Sequence, residues 1–181
     1  ALAESGAPEA ALPAYAAALR LEPDMTAAHF NLGNALAVLG RFPEAVAAFE
    51  AALRIEPTHA NAHYNLGNVL IRLGRKPEAK TAFAAAARLA PESVTAHANL
   101  GGVLLELGEL DAARSALERA RALNPVDPVV HFNLGHVHRL AGRLDDARQS
   151  FERSLALDPS FASARTVLAT LPPPAASPRL P

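Results

Sequence analysis

The chain has no cysteine, so disulfides and thiolate chemistry are unavailable and the redox compartment stays undetermined. It has no apolar run near the roughly 20 residues that span a bilayer, and no signal-peptide pattern at its start. It has almost no net charge, since 17 Lys and Arg stand against 18 Asp and Glu, leaving a formal -1. With both signs interspersed, neither nucleic acid nor a membrane surface is expected as a partner. No Gly-rich phosphate loop follows a strand pattern, and no catalytic constellation emerges, so we expect no enzyme activity and no cofactor. An initiating methionine is missing too. The chain opens Ala1-Leu2, as expected of a processed protein or an excised fragment. The compartment is not encoded, although a cytoplasmic setting is favoured.

What is present is hydrophobic material and order. Of the 181 residues, 50% are hydrophobic, enough to bury a core as one domain and unlike a disordered or collagen-like chain. The order is periodic. Pro23, Pro57, Pro91, Pro125 and Pro159 are each 34 residues apart. Asn-Leu-Gly triplets starting at Asn31, Asn65, Asn99 and Asn133 keep the same step. Of the ten glycines, only Gly102 lies outside the two slots represented by Gly33 and Gly40.

Each slot has a physical reason. Ala28, His29, Leu32, Gly33, Leu36 and Leu39 recur at helical spacing and predict a first helix from 26 to about 39. Gly33 allows a second helix to approach closely. Gly40 suits the left-handed residue that ends a helix. Pro43 and Pro77 open second helices, where a missing N–H costs nothing, and Asp111 and Asp145 take that slot later, where charge suits the helix dipole. The second helix buries Ala45, Phe49, Ala52 and Leu53, and Pro57 stops it.

Four full units are predicted: 26–59, 60–93, 94–127 and 128–161. Residues 1–25 match the end of a first helix and a whole second helix, with Leu2 and Gly6 in the slots of Leu36 and Gly40, and with Pro13 fraying or bending the early turn. A short closing helix runs from Phe161 to Leu171, its arginines and serines giving a polar cover. Residues 172–181 read as an extended proline-rich tail. This period and these slots resemble the tetratricopeptide repeat, a helix–turn–helix unit. The resemblance covers about residues 2–171. It implies an all-α, right-handed superhelical solenoid whose first helices line a concave groove, used for recognition.

The first helix carries two stripes. His29, Leu32, Gly33 and Leu36 should face the second helix, and Ala27, Phe30, Asn31, Asn34 and Val38 lie nearly opposite. The latter stripe, expected to line the groove, continues as Asn61, Tyr64, Asn65, Asn68 and Arg72. It then reads Thr95, Ala98, Asn99, Gly102 and Glu106, and finally Val129, Phe132, Asn133, His136 and Leu140. A carboxamide donates and accepts, so Asn31, Asn65, Asn99 and Asn133 could grip a peptide backbone whatever its sequence, while Phe30, Tyr64 and Phe132 add apolar contact. That arrangement is similar to the repeat domain of O-linked N-acetylglucosamine transferases, where groove asparagines hold substrate backbones. The alternative is that these amides bond between neighbouring helices.

His29, His63, His97 and His131 also recur once per repeat. Packed helices lie about 8–10 Å apart, whereas zinc needs ligands at about 2 Å, so these histidines are expected to fill a packing slot rather than bind metal. His59 with His63 and His136 with His138 are weaker pairs, the second diverging on its helix. Glu44, Glu78 and Asp145 belong to helix first turns. Glu50, Arg54, Arg114, Glu118, Arg121, Arg148 and Glu152 read as a solvated outer face. The expected function is a scaffold that binds a partner protein or extended peptide. The alternatives are a substrate-recruiting arm of a larger glycosyltransferase and a self-assembling module, joined through repeat ends or by the tail lying in a neighbour's groove.

Overall fold

The computed structural model describes residues 8–172. Among these residues there are ten helices and no strand. They are α1 (Pro8–Leu21), α2 (Thr26–Val38), α3 (Phe42–Ile55), α4 (Ala60–Arg72), α5 (Lys76–Leu89), α6 (Val94–Glu106), α7 (Leu110–Leu123), α8 (Pro128–Leu140), α9 (Leu144–Leu157) and α10 (Ala162–Thr170). Contacts gather the chain into two compact units, Ala1–Pro91 and Glu92–Pro181, rather than around one core. A repeat touches mainly its neighbours, so no single core needs to form.

In the first unit α2 packs on α3 and α4 on α5, with α3 and α4 also in contact. In the second, α6 packs on α7, α8 on α9, and α10 on α9. In α2–α3, α4–α5, α6–α7 and α8–α9 a glycine lies against a large side chain. A Cβ at Gly33 would lie 2.7 Å from the Phe49 ring, and one at Gly67 or Gly135 would lie 2.6 Å from Phe83 or Phe151. At Gly101 it would lie 2.5 Å from Leu117 Cγ. All four partners are 0–1% exposed, so the glycine is what admits them. Ala45, Ala52, Ala79, Ala113 and Ala120 bury beside them, as the helix spacing predicts, whereas Leu53 is only half-buried.

The first helices bury more than the expected stripe. Ala28 and Ala35 are buried in α2, and Val69, Val103 and Val137 take the Ala35 slot in later helices. His29 and Leu32 remain half-buried. The wider stripe follows from neighbours on more than one side, since α2 touches α1, α3 and α4.

Turn chemistry matches the periodic signals. Gly40, Gly74, Gly108 and Gly142 have φ of 73–78°, the left-handed region that a Cβ disfavours. Around Gly40 the Arg41 amide donates to the Leu36 carbonyl at 2.9 Å and the Gly40 amide to Ala37 at 3.1 Å, closing the orphaned helix end. Pro43 and Pro77 lie in the first turns of α3 and α5. Asp127 caps α8, accepting from Val129 N at 2.9 Å and Val130 N at 3.2 Å.

At the ends, α1 runs from Pro8 to Leu21 with Pro13 inside it, and Leu2 and Gly6 lie outside the described residues. The closing helix is α10, on which Ser163, Arg165, Thr166 and Thr170 are exposed. Of the proline-rich tail only Pro172 is described; its carbonyl and that of Leu171 accept from Arg148. Residues 173–181 and the docking expected of them lie outside the described residues.

Two adjacent glycines of α6 give a direct test. A Cβ added at Gly102 would meet nothing nearer than Asn133 Nδ2 at 3.8 Å. Gly102→Ala should therefore stabilise by up to about 1 kcal/mol through helix propensity. Gly101→Ala should destabilise by about 1–3 kcal/mol through overpacking against Leu117. Denaturant titration reads both, and equal effects of one sign would contradict the close-approach explanation.

Candidate interaction surface

The polar stripe of the first helices is built separately in each unit. On α2, Asn31 is exposed and its carboxamide makes no hydrogen bond to any described residue. Phe30 is half-buried, its ring 6.0 Å from Phe49 and 4.7 Å from His59. Asn34 Oδ1 accepts from Asn65 Nδ2 at 2.7 Å, so at this place the amide pairs between neighbouring helices. Val38 is 76% exposed. On α4, Asn61 is exposed, Asn68 is half-buried and the Tyr64 ring lies 5.9 Å from Phe83. The Arg72 guanidinium sits 4.9 Å above the Phe42 ring.

In the second unit the stripe changes character. On α6, Thr95 and Glu106 are exposed, Ala98 and Asn99 are half-buried, and the Thr95 hydroxyl lies 3.2 Å from that of Ser93. Ala98 replaces the aromatic of the other repeats, and it does so where Leu117 replaces the phenylalanine beneath. On α8, Phe132 packs 5.6 Å from Phe151, 4.9 Å from Phe161 and 4.6 Å from His136. Asn133 is half-buried and unbonded to any described residue. Val129 and Leu140 flank this group at 49% and 52% exposed. Asn34 and Asn65 thus meet across α2 and α4, and a Cβ at Gly102 would lie 3.8 Å from Asn133 across α6 and α8, while the rings of Phe30, Tyr64 and Phe132 pack against buried phenylalanines.

The recurrent histidines do more than fill space. His29 Nε2 lies 2.9 Å from the Pro23 carbonyl, His63 Nε2 3.0 Å from Pro57 and His131 Nε2 2.9 Å from Pro125. A carbonyl only accepts, so Nε2 carries the proton. Each imidazole ties its helix to the preceding loop. Arg165 occupies the same slot in α10 and donates to the Pro159 carbonyl at 2.5 Å. Among the described residues no group of three or more His, Cys, Asp or Glu could hold a metal ion.

His138 carries a role that the sequence signals did not reveal. One repeat step back lies Leu104, then Leu70 and Leu36, all buried. The clue was that register, which the His136–His138 pairing obscured. His138 Nδ1 is enclosed without a hydrogen-bond partner. Burial, then Arg143 and more weakly Arg114, hold its pKa below the usual histidine value, opposed by Asp146 and Glu118. His136 is also lowered, by burial and then by Arg139.

The tetratricopeptide repeat family profile matches residues 1–60, 64–128 and 103–162, and the chain belongs to that family. Among solved structures, YrrB, described as a TPR protein with an unusual peptide-binding site, is 25% identical with a TM-score of 0.86, over 92% of this chain and 86% of that one. MamA (41-end) from Desulfovibrio magneticus RS-1 is 27% identical with a TM-score of 0.80, over 87% and 89% of the two chains. A thermophilic TPR protein of Thermus thermophilus is 24% identical with a TM-score of 0.64, over 93% and 92%, and shares the fold. No curated protein sequence matches the chain. The fold is thus an all-α tetratricopeptide solenoid, and among the described residues no helix is long and apolar enough to cross a membrane.

Both kinds of histidine can be tested by stability. With its folded-state pKa depressed, His138 binds a proton more readily in the unfolded chain, so stability should fall as pH drops through about 6.5. His138→Leu should raise stability by about 1–3 kcal/mol and flatten that fall, as thermal melts at pH 5 to 8 would show. His63→Phe should cost about 1 kcal/mol by losing its carbonyl bond, and zinc should leave the melting temperature unchanged; a zinc-dependent rise would contradict the carbonyl-tie reading.

Proposed function

We propose that the exposed stripes of α2 and α4 in the first unit, and of α6 and α8 in the second, each bind an extended segment of a partner protein. The observation that carries this reading is the state of the asparagine row. Asn65 is engaged with Asn34, but Asn31 and Asn133 present carboxamides with no partner among the described residues. A carboxamide left at a surface can take both the N–H and the C=O of a passing backbone. Beside Asn133, Val129 and Leu140 expose apolar surface at 49% and 52%, which suits side chains of the same segment. YrrB, which shares the fold at 25% identity, carries a peptide-binding site by its description, and that supports the class of ligand. The chain acts as a non-catalytic interaction scaffold in this reading.

A peptide array probed with the purified chain tests it. Asn31→Ala or Asn133→Ala should each weaken a selected peptide by about 2–10-fold without changing the melting temperature. Asn65→Ala should instead cost about 1 kcal/mol of stability through its lost bond to Asn34. Unchanged affinity in both surface variants would sink the proposal.

A further inference from the structure

Two notches in this chain occupy the same place in the repeat, and they differ in chemistry. In the first unit a notch of about 290 Å³ is lined by Leu53, His63, Thr81, Ala82 and Ala85, together with the acids Glu50 and Glu78. In the second unit a notch of about 270 Å³ is lined by Arg121 of α7, His131 of α8, and Gln149, Ser150 and Arg153 of α9. Two repeat steps, 68 residues, carry Leu53 to Arg121, His63 to His131, Thr81 to Gln149, Ala82 to Ser150 and Ala85 to Arg153. The same recess has therefore exchanged a leucine and an alanine for two guanidiniums. The acids Glu50 and Glu78 have their counterparts in Glu118 and Asp146, which do not line the second notch.

Packing does not require these arginines, because Leu53 and Ala85 fill the identical slots in the first unit. Local ion pairing does not account for them either. Arg119 holds the slot of Arg153 one repeat earlier and meets Glu92 at 2.9 Å. One step on, the position of Glu92 is taken by Val126, 58% exposed. Arg153 has thus lost the carboxylate that its predecessor uses, and neither the Arg121 nor the Arg153 guanidinium makes an ion pair or hydrogen bond to a described residue. Both arginines are exposed, so their guanidiniums share a solvent-open recess that no carboxylate lines.

We propose that this notch binds a phosphate-type oxyanion. Each guanidinium offers a planar fork of N–H donors, and a tetrahedral dianion presents oxygens to two forks from different helices and carries charge enough for both, whereas a carboxylate carries a single charge. The Gln149 amide supplies a further donor. His131 Nε2 is committed to the Pro125 carbonyl at 2.9 Å, and the Ser150 hydroxyl donates to the Asp146 carbonyl at 2.9 Å, so these two shape the recess rather than donate their protons. On the α8 helical wheel His131 lies on the side away from Asn133 and His136, which separates the notch from the proposed peptide-binding stripe and makes it independent of that reading.

The test is calorimetric titration of the full chain with inorganic phosphate, with chloride at matched ionic strength as reference. The wild type should bind one phosphate saturably. Arg121→Leu with Arg153→Ala, which restores residues already resident in those slots, should weaken binding about tenfold or more, with an unchanged helical circular dichroism spectrum. Arg119→Ala removes an arginine outside the notch and should keep the wild-type affinity. A serine-phosphorylated peptide and its unphosphorylated twin identify the source. Tighter binding of the phosphorylated form than of free phosphate assigns the site to a modified partner, and equal binding assigns it to the free anion. Phosphate binding that survives in the double variant, or that chloride reproduces, overturns the proposal.

Discussion

A side chain lying flat against a helix with no Cβ is the contact on which this architecture rests. Phe49, Phe83, Leu117 and Phe151 each occupy the space above Gly33, Gly67, Gly101 or Gly135, at distances that a methyl group could not share. Once that contact is set, the rest of a repeat follows. The first helix is held in one rotation, one face turns to the second helix, and the opposite face keeps side chains that packing consumes only in part. A glycine in the left-handed region then reverses the chain, and a proline-bearing loop carries it to the next copy. Repetition of this contact, rather than a single large core, explains why contacts cluster into units.

Because the scaffold repeats, each departure from register is informative. Ala98 and Leu117 vary together, one losing an aromatic where the other loses a ring beneath it. Ser154 replaces the buried alanine of Ala52, Ala86 and Ala120, and its hydroxyl stays satisfied by the Pro128 carbonyl at 2.8 Å. His138 replaces a core leucine without such a partner, so its burial costs stability that rises as the medium acidifies. Arg121 and Arg153 replace apolar residues in a recess, where their charges are left open. The first two are repacking that the fold absorbs. The last two place polar groups where the fold gains nothing from them, and such places are where particular functions are expected.

Most of the fold was readable from the chain itself, since glycine and proline dictate turns through local geometry and recurred in step. The buried row at Ala35, Val69, Val103 and Val137 was not, because helical periodicity shows a stripe but not how many neighbours a helix has. The histidine row was expected to pack; its bond to the loop carbonyl depends on a six-residue reach across a turn that no spacing rule contains. For the interaction surface, the stripe of Phe30, Asn31, Tyr64 and Phe132 followed from the helical wheel. Which asparagines were already engaged depended on neighbouring helices and needed coordinates. The notch of Arg121 and Arg153 was hidden inside an apparently ordinary charged outer face, and emerges only when equivalent recesses are compared.

In the proposed function, the carboxamides of the first helices that no described side chain occupies hold a partner's backbone. Side-chain amide NMR signals of the asparagines, followed while a selected peptide is added, address that contact most directly. The Asn31 and Asn133 carboxamide signals should shift with the peptide while backbone signals of α3, α5, α7 and α9 stay in place. Shifts confined to those second helices, with Asn31 and Asn133 unmoved, would contradict it.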